Sequence, residues 1–167
     1  MILSKLNPNS TLVVMSEVTY NAVKTIFTMY GAFMKDVAEE IGWKKTLQIY
    51  MKSGKRDGES MLRFFASQPR ESMLEAKAKS NIEFFGVSGW DVDYVASPSS
   101  LEYHIRVCPL FDGFHAAGLS HELINAICGS NHKGVQETLR RVYPEAEFTS
   151  EKPSIITPCI EKIKIPS

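Results

Sequence analysis

The feature that most constrains the fold of this sequence is a pair of segments in which apolar and polar residues alternate. Residues 90–95 and 101–108 both show this alternation, which is typical of strands with one buried face. The run Ser-Pro-Ser-Ser at 97–100 lies between them and indicates a tight turn. We therefore predict an antiparallel hairpin in which Ala96 pairs with Leu101, and hence a sheet with a defined register.

The predicted register also brings polar residues together. It places Asp93 opposite His104 and Asp91 opposite Arg106, and Cys108 follows on the same face of the second strand. One interpretation is a solvated sheet face whose cross-strand charge pairs contribute up to about 1 kcal/mol each. The other is a site at the end of the row, because a free cysteine prefers burial and Cys108 would lie where the polar face becomes covered.

Helical periodicity dominates the first half of the chain. Apolar residues recur at helical spacing from Ser16, the predicted N-cap, to a stop at Gly42. A shorter helix follows from Trp43 and ends in the glycine-containing run at 53–58, and the run at 129–131 interrupts a later helix. The remaining elements are predicted as helices at 59–66, 69–79, 111–117, 120–128 and 135–142, with strands near 146–149 and 160–165.

The order of these elements defines a fold class. Helices come first and a strand-strand-helix-strand-strand half follows, which predicts an α+β fold with N-terminal helices packed on a mostly antiparallel sheet. The chain has 167 residues, of which 44% are hydrophobic, so it can bury one full core. We expect a single domain, with a helical half at about 11–80 and a sheet half at about 81–167.

Charge and cysteine content argue against several classes of partner. The 19 basic residues balance the 19 acidic ones, so the chain lacks the net positive field that attracts nucleic acid or an anionic membrane. No apolar run reaches the roughly 18 residues of a membrane span, and the first residues lack the apolar segment of a signal peptide. Three cysteines without a secretion signal favour reduced thiols and a cytoplasmic location.

One set of motifs in the second half carries a family resemblance. The set consists of Arg-Val-Cys-Pro-Leu-Phe-Asp-Gly at 106–113, Ala-Gly-Leu at 117–119, Ile-Cys at 127–128, Tyr-Pro at 143–144 and Pro-Cys-Ile-Glu at 158–161. It resembles the pattern of the L-2-amino-thiazoline-4-carboxylic acid hydrolase family. The same half is also similar to the 4-vinyl reductase domain, a small-ligand binding module. These resemblances imply the same α+β architecture as the order of elements.

The hydrolase resemblance implies opening of a small ring at a carbon that lies between nitrogen and sulfur. Cys108 would attack this carbon, with His104 or His115 as the base that activates the thiol. Asp112 lies three residues before His115, so the two side chains can share a helical face and the carboxylate can orient the ring. Arg106 would bind the substrate carboxylate through its planar guanidinium group.

The cysteines allow two further interpretations. Cys108, Cys128 and Cys159 are far apart in the sequence, and with one histidine they could bind zinc if the fold brought them together. Alternatively, each thiol is a small core residue. Two functions therefore stay open, a cysteine-dependent hydrolase of a small cyclic substrate and a non-catalytic module that binds a small molecule or a metal. The sequence leaves homo-oligomer formation open as well.

Overall fold

The computed structural model describes residues 17–166, so the predicted N-cap Ser16 lies outside the described residues. The elements in this part of the chain, in order, are α1 (Glu17–Ile41), α2 (Trp43–Ala66), α3 (Met73–Val87), β1 (Asp91–Ser97), β2 (Ser100–Val107), α4 (Pro109–Ala116), α5 (His121–Leu139), β3 (Glu147–Glu151) and β4 (Cys159–Lys164). The predicted α+β class is confirmed. None of these helices combines the length and the apolar character that a membrane crossing requires.

The four strands form one sheet in the order β1-β2-β4-β3, and each neighbouring pair is antiparallel. The predicted hairpin register is confirmed, since Ala96 pairs with Leu101 and Asp93 pairs with His104. The strand predicted near 160–165 is β4, and it lies between β2 and β3 rather than at an edge.

The prediction that Arg106 lies directly opposite Asp91 in the register is wrong, because β2 contains a β-bulge, although the two side chains do form the predicted charge pair. The register steps from the pair Val92–Ile105 to the pair Asp91–Val107, so Arg106 is an extra residue in β2. A bulge of this kind reverses the alternation of side chains beyond it. Val107 therefore shares the outer face of the sheet with Asp91. The next side chain, that of Cys108, points to the inner face.

The two faces of the sheet differ in burial. On β2, the inner-facing residues Leu101, Tyr103 and Ile105 are each at most 3% exposed. The residues between them are polar and lie on the outer face. Helices α3 and α5 cover the inner face. The Asn81 side chain on α3 donates a hydrogen bond of 2.8 Å to the buried Tyr103 hydroxyl group, which satisfies this polar atom within the core.

Helices α2 and α5 are each longer than predicted, because their glycines do not end them. Helix α2 continues through 53–58 and helix α5 continues through 129–131. A Cβ atom at Gly54 would lie 1.9 Å from the Asn131 carbonyl oxygen, and one at Gly134 would lie 2.2 Å from the Met51 carbonyl oxygen. The absence of a side chain at these positions lets the two helix backbones touch.

A second close helix contact fixes the position of α4. A Cβ atom at Gly113 would lie 2.6 Å from the Lys24 carbonyl oxygen on α1. On α1, a Cβ atom at Gly31 would lie 2.9 Å from the Ala117 side chain, directly after α4. Helix α3 also departs from its prediction, since it begins at Met73 and continues to Val87 instead of spanning 69–79.

Candidate ligand-binding pocket

A cavity of about 490 Å³ lies between the helices and the inner face of the sheet, near the end of β2 and the start of β4. Its volume is in the range of sites that bind small organic molecules. All five helices and the last two strands of the chain contribute lining residues, as do Trp90 before β1 and Ile105 on β2. The pocket therefore lies where the helical layer meets this end of the sheet.

One wall of the pocket is aromatic. Four rings form it, and they are those of Phe27, Phe84, Phe85 and Trp90. Trp90 is central to this wall, with its ring centroid 5.7 Å from that of Phe85 and 6.1 Å from that of Phe27. The Phe27 pair is edge to face and the Phe85 pair is tilted, and rings packed in this way hold one another in place and offer apolar surface to a ligand.

A polar wall completes the lining, and two helices supply much of it. Each helix presents residues at spacing i, i+3 and i+7, which lie on one helical face. They are Tyr50, Ser53 and Asp57 on α2, and Asn125, Cys128 and His132 on α5. This spacing was present in the sequence, but the predicted breaks at 53–58 and 129–131 divided both sets and concealed it.

The sheet adds further polar groups from β3 and β4. Cys159 and Glu161 alternate along β4, so both point to the inner face, and Ser150 on β3 lies beside them. The Ser150 hydroxyl oxygen is 3.6 Å from the Cys159 sulfur. Lys152, directly after β3, completes this side of the pocket.

The fold brings Cys108, Cys128 and Cys159 into the lining of this one pocket. Cys108 reaches it because the bulge turns its side chain inward, away from the row of His104 and Arg106. Within residues 17–166, no group of three or more His, Cys, Asp or Glu side chains is arranged to hold a metal ion. The arrangement therefore gives the zinc hypothesis no support.

The environment of the thiols favours their neutral form. Burial raises the pKa of Cys108 to about 12, although the Phe111 backbone N–H donates a hydrogen bond of 3.4 Å to its sulfur. Burial also raises the pKa of Cys128 and of Cys159, and the Glu161 carboxylate adds to the increase for all three thiols. These surroundings do not lower the pKa of Cys108, as the predicted activation of this thiol would require.

The basic residues predicted to assist Cys108 lie on the outer face of the sheet. His104 Nε2 is 2.7 Å from Glu102 Oε1. The Arg106 guanidinium group donates to both Asp91 oxygens at 2.8 and 2.5 Å and also binds Asp93. Neither side chain lines the pocket. The structure thus separates the predicted carboxylate clamp from the cysteine that it was expected to serve.

Asp112 and His115 do not form the predicted pair. The Asp112 carboxylate accepts a hydrogen bond of 2.7 Å from the Tyr20 hydroxyl on α1. Burial, followed by this carboxylate, raises the pKa of Tyr20 to about 12. His115 is exposed and its ring stacks on that of Phe111 with the centroids 6.5 Å apart. Both residues lie on α4 outside the pocket lining.

His132 was not among the predicted site residues, yet it lines the pocket. Its ring stacks on Phe148 with the centroids 4.4 Å apart, and its Nε2 atom is 3.4 Å from Glu161 Oε1. The signal that could have identified His132 is its position one helical turn after Cys128.

Comparison with known proteins does not identify a family for this chain. No protein-family model matches the chain, and neither the curated proteins nor the solved structures contain a significant match. The resemblance to the thiazoline hydrolase family therefore stays a prediction from the sequence, and the function has to be argued from the pocket.

Proposed function

We propose that this protein binds a small, partly apolar molecule in the pocket between its helices and its sheet. The observation that carries the proposal is the composition of the pocket's lining, which combines a wall of four packed aromatic rings with a wall of hydrogen-bonding side chains. Natural ligand sites combine an apolar surface with a few polar groups that orient the ligand. This function corresponds to the binding-module alternative raised by the sequence.

Binding is favoured over cysteine catalysis by the surroundings of Cys108. A nucleophilic thiol needs a base within hydrogen-bond reach or a lowered pKa. Burial raises the pKa of Cys108, and His104 and His115 lie outside the pocket. Arg106 is held by two aspartates on the other side of the sheet.

A pocket-filling variant tests the binding proposal. Ser53 on α2 lines the pocket, so Ser53→Phe places a ring in the cavity, whereas Ser80→Phe adds the same ring at an exposed position on α3. Small aromatic and heteroaromatic compounds are screened for an increase in melting temperature. We expect the compounds that stabilise the wild type to stabilise Ser80→Phe equally and to have no effect on Ser53→Phe. Equal stabilisation of both variants would place binding elsewhere.

Hydrolysis of a small cyclic substrate is a second candidate function. It is favoured by the presence of three thiols together with the His132–Glu161 pair in one pocket. The test is incubation with 2-amino-thiazoline-4-carboxylate and with cyclic amidines, followed by mass spectrometry of the ring-opened product. Turnover by the wild type that is absent in Cys108→Ser would support this function. Binding without turnover by the wild type would reject it.

We also propose that the protein works in the cytoplasm. All three cysteines of the chain are free and all three line the pocket. Thiols persist in a reducing compartment, whereas an oxidising one would modify or pair them. Fractionation of cells that express the tagged full chain, followed by thiol alkylation, tests this location. Recovery of the protein outside the cytoplasm with oxidised cysteines would contradict it.

A further inference from the structure

We infer that Lys152 is the recognition residue for an acidic group, so that the ligand of the pocket is a small aromatic or apolar carboxylic acid. This inference rests on the proposed ligand-binding function and names the class of ligand. The observation behind it is a buried lysine side chain that lines the cavity and has no ionic partner among residues 17–166.

Lys152 is 7% exposed, which is unusual for a lysine. Its ammonium group donates one hydrogen bond of 2.8 Å to the Thr157 carbonyl oxygen and lies 4.7 Å from the centre of the Phe111 ring. No carboxylate in the described part of the chain forms an ion pair with it. An ammonium group has three donors, so this contact leaves donors for a ligand.

A buried charge without a counter-ion is unfavourable for the fold unless something compensates it. The carbonyl oxygen and the aromatic face compensate part of the charge, but neither carries a full negative charge. The carboxylate of a ligand would supply it through a charge-assisted hydrogen bond. Binding an acid would thus complete an interaction that the protein alone leaves incomplete.

The backbone around Lys152 is held firmly enough to orient the ammonium group. His121 Nε2 lies 2.8 Å and Asn125 Nδ2 lies 3.2 Å from the Lys152 carbonyl oxygen, so α5 anchors the residue from the other side. The turn that follows is closed by a hydrogen bond of 2.9 Å from the Ser154 backbone N–H to the Thr157 hydroxyl oxygen. A preoriented cation binds with a smaller loss of side-chain entropy than a mobile one.

The two acidic side chains of the pocket each interact with another side chain of the pocket lining, whereas Lys152 donates to a backbone carbonyl oxygen. Asp57 accepts a hydrogen bond of 2.9 Å from the Asn131 side chain, and Glu161 lies 3.4 Å from His132. The aromatic wall offers apolar surface for the body of a ligand. The expected ligand therefore has one acidic group at the Lys152 end and a ring or apolar body against the aromatic wall.

Three matched probes test the inference, namely 1-naphthaleneacetate, its neutral amide 1-naphthaleneacetamide and the cation 1-naphthylmethylamine. Isothermal titration measures each one against the wild type, Lys152→Met and Lys162→Met. Methionine approximates the length of lysine without its charge. Lys162→Met is the control, because this substitution removes the same charge at a different position. Lys162 binds Glu102 at 2.7 Å and does not line the pocket.

We expect the wild type to bind the acid at least tenfold more tightly than the amide, and the amine least tightly. Lys152→Met should remove the preference for the acid, while Lys162→Met should retain it. 1-Naphthalenesulfonate then separates carboxylate recognition from recognition of any monoanion, and weaker binding of the sulfonate supports the carboxylate. If 1-naphthaleneacetate and 1-naphthalenesulfonate bind equally tightly, the inference that the ligand's acidic group is a carboxylate is overturned.

Binding of the amide or the amine as tightly as the acid would reject the role of Lys152 and leave the binding function standing. Failure of all the probes to bind at millimolar concentration would count against the binding function for ligands of this class, and against the inference with it.

Melting temperature gives an independent readout. Loss of an uncompensated buried charge should leave Lys152→Met at least as stable as the wild type, whereas a structural lysine would make this variant melt at a lower temperature.

Discussion

The outer face of the sheet and the pocket on its inner side contain similar charged side chains in different states. On the outer face, Arg106 binds Asp91 and Asp93, and Lys162 lies 2.7 Å from Glu102. Each of these charges has an opposite charge as its neighbour. In the pocket, the thiols are held neutral by burial, and Lys152 has a carbonyl oxygen and a ring as its partners.

This difference distinguishes charges that are already neutralised within the fold from groups that are available to a ligand. Exposed ion pairs contribute little to stability, typically about 0–1 kcal/mol each, but they are complete without any other molecule. Desolvated groups in a cavity interact more strongly with a partner because the local dielectric constant is low. The pocket therefore contains the stronger candidates for function, although the outer face contains more charge.

The largest expected effect comes from Gly134, because it joins the two helices that carry much of the polar wall. Gly134→Ala would place a Cβ atom 2.2 Å from the Met51 carbonyl oxygen, so α2 and α5 would have to separate. We expect the free energy of unfolding to fall by about 3 kcal/mol, the upper end of ordinary overpacking, and the pocket to lose its ligand. Urea unfolding followed by circular dichroism measures the loss.

Gly129→Ala is the matched control, because it makes the same change on the same helix. A Cβ atom at Gly129 would have no atom within 4 Å. Alanine at an open helical position gains about 0.5–1 kcal/mol over glycine. The two variants should therefore change stability in opposite directions, and a similar gain for both would show that the contact between α2 and α5 is looser than described.

The second expected effect is a loss of stability at alkaline pH that originates in the pocket. Each buried thiol has a pKa in the folded state above its unfolded value of about 8.5. The native state thus favours the protonated thiol, and this stabilisation is complete below pH 8.5 and is lost at higher pH, for Cys108 as the pH rises toward 12. We expect the free energy of unfolding to fall by about 1 kcal/mol per pH unit for each ionising thiol.

Urea titrations between pH 7 and 9.5 measure this dependence below the ordinary pKa of tyrosine, which is 10.0. Cys108→Ala should have a smaller decrease over this interval than the wild type. Iodoacetamide should label Cys108 slowly at pH 7, and the labelling rate should rise steadily with pH without reaching a plateau. A thiol that reacts fully at neutral pH would instead have the lowered pKa that cysteine catalysis requires.

Local sequence patterns were sufficient for the hairpin register near its turn and insufficient for the pocket. The register at Ala96 and Leu101 followed from alternation and a turn, both of which are local. Gly54, in the predicted break at 53–58, was misleading, because its role depends on a helix that is distant in the sequence. A single sequence does not distinguish a glycine that a tertiary contact requires from a glycine that ends a helix.

The position of Cys108 shows which local signal was missed. Alternation was extended through Arg106 to Cys108, but Pro109 follows directly and is favoured at the first position of a helix. The structure has Pro109 in that position, with Cys108 as the N-cap of α4. The bulge at Arg106 has no comparable sequence signal, so the inward direction of the thiol could not be predicted from periodicity.

The smallest expected effect, Arg106→Ala, tests whether the outer face is functionally silent. The variant loses both ion pairs and leaves Asp91 and Asp93 close together, but the site is exposed and solvent screens the charges. We expect a loss of less than about 1 kcal/mol in urea unfolding, reduced further in 1 M salt, and no change in the affinity for 1-naphthaleneacetate. Lys152→Met should behave in the opposite way, with affinity reduced and stability retained.

A tenfold loss of affinity in Arg106→Ala would contradict this prediction. It would restore Arg106 as the carboxylate-binding residue predicted from the sequence, and it would show that a charge neutralised on the outer face still affects the pocket.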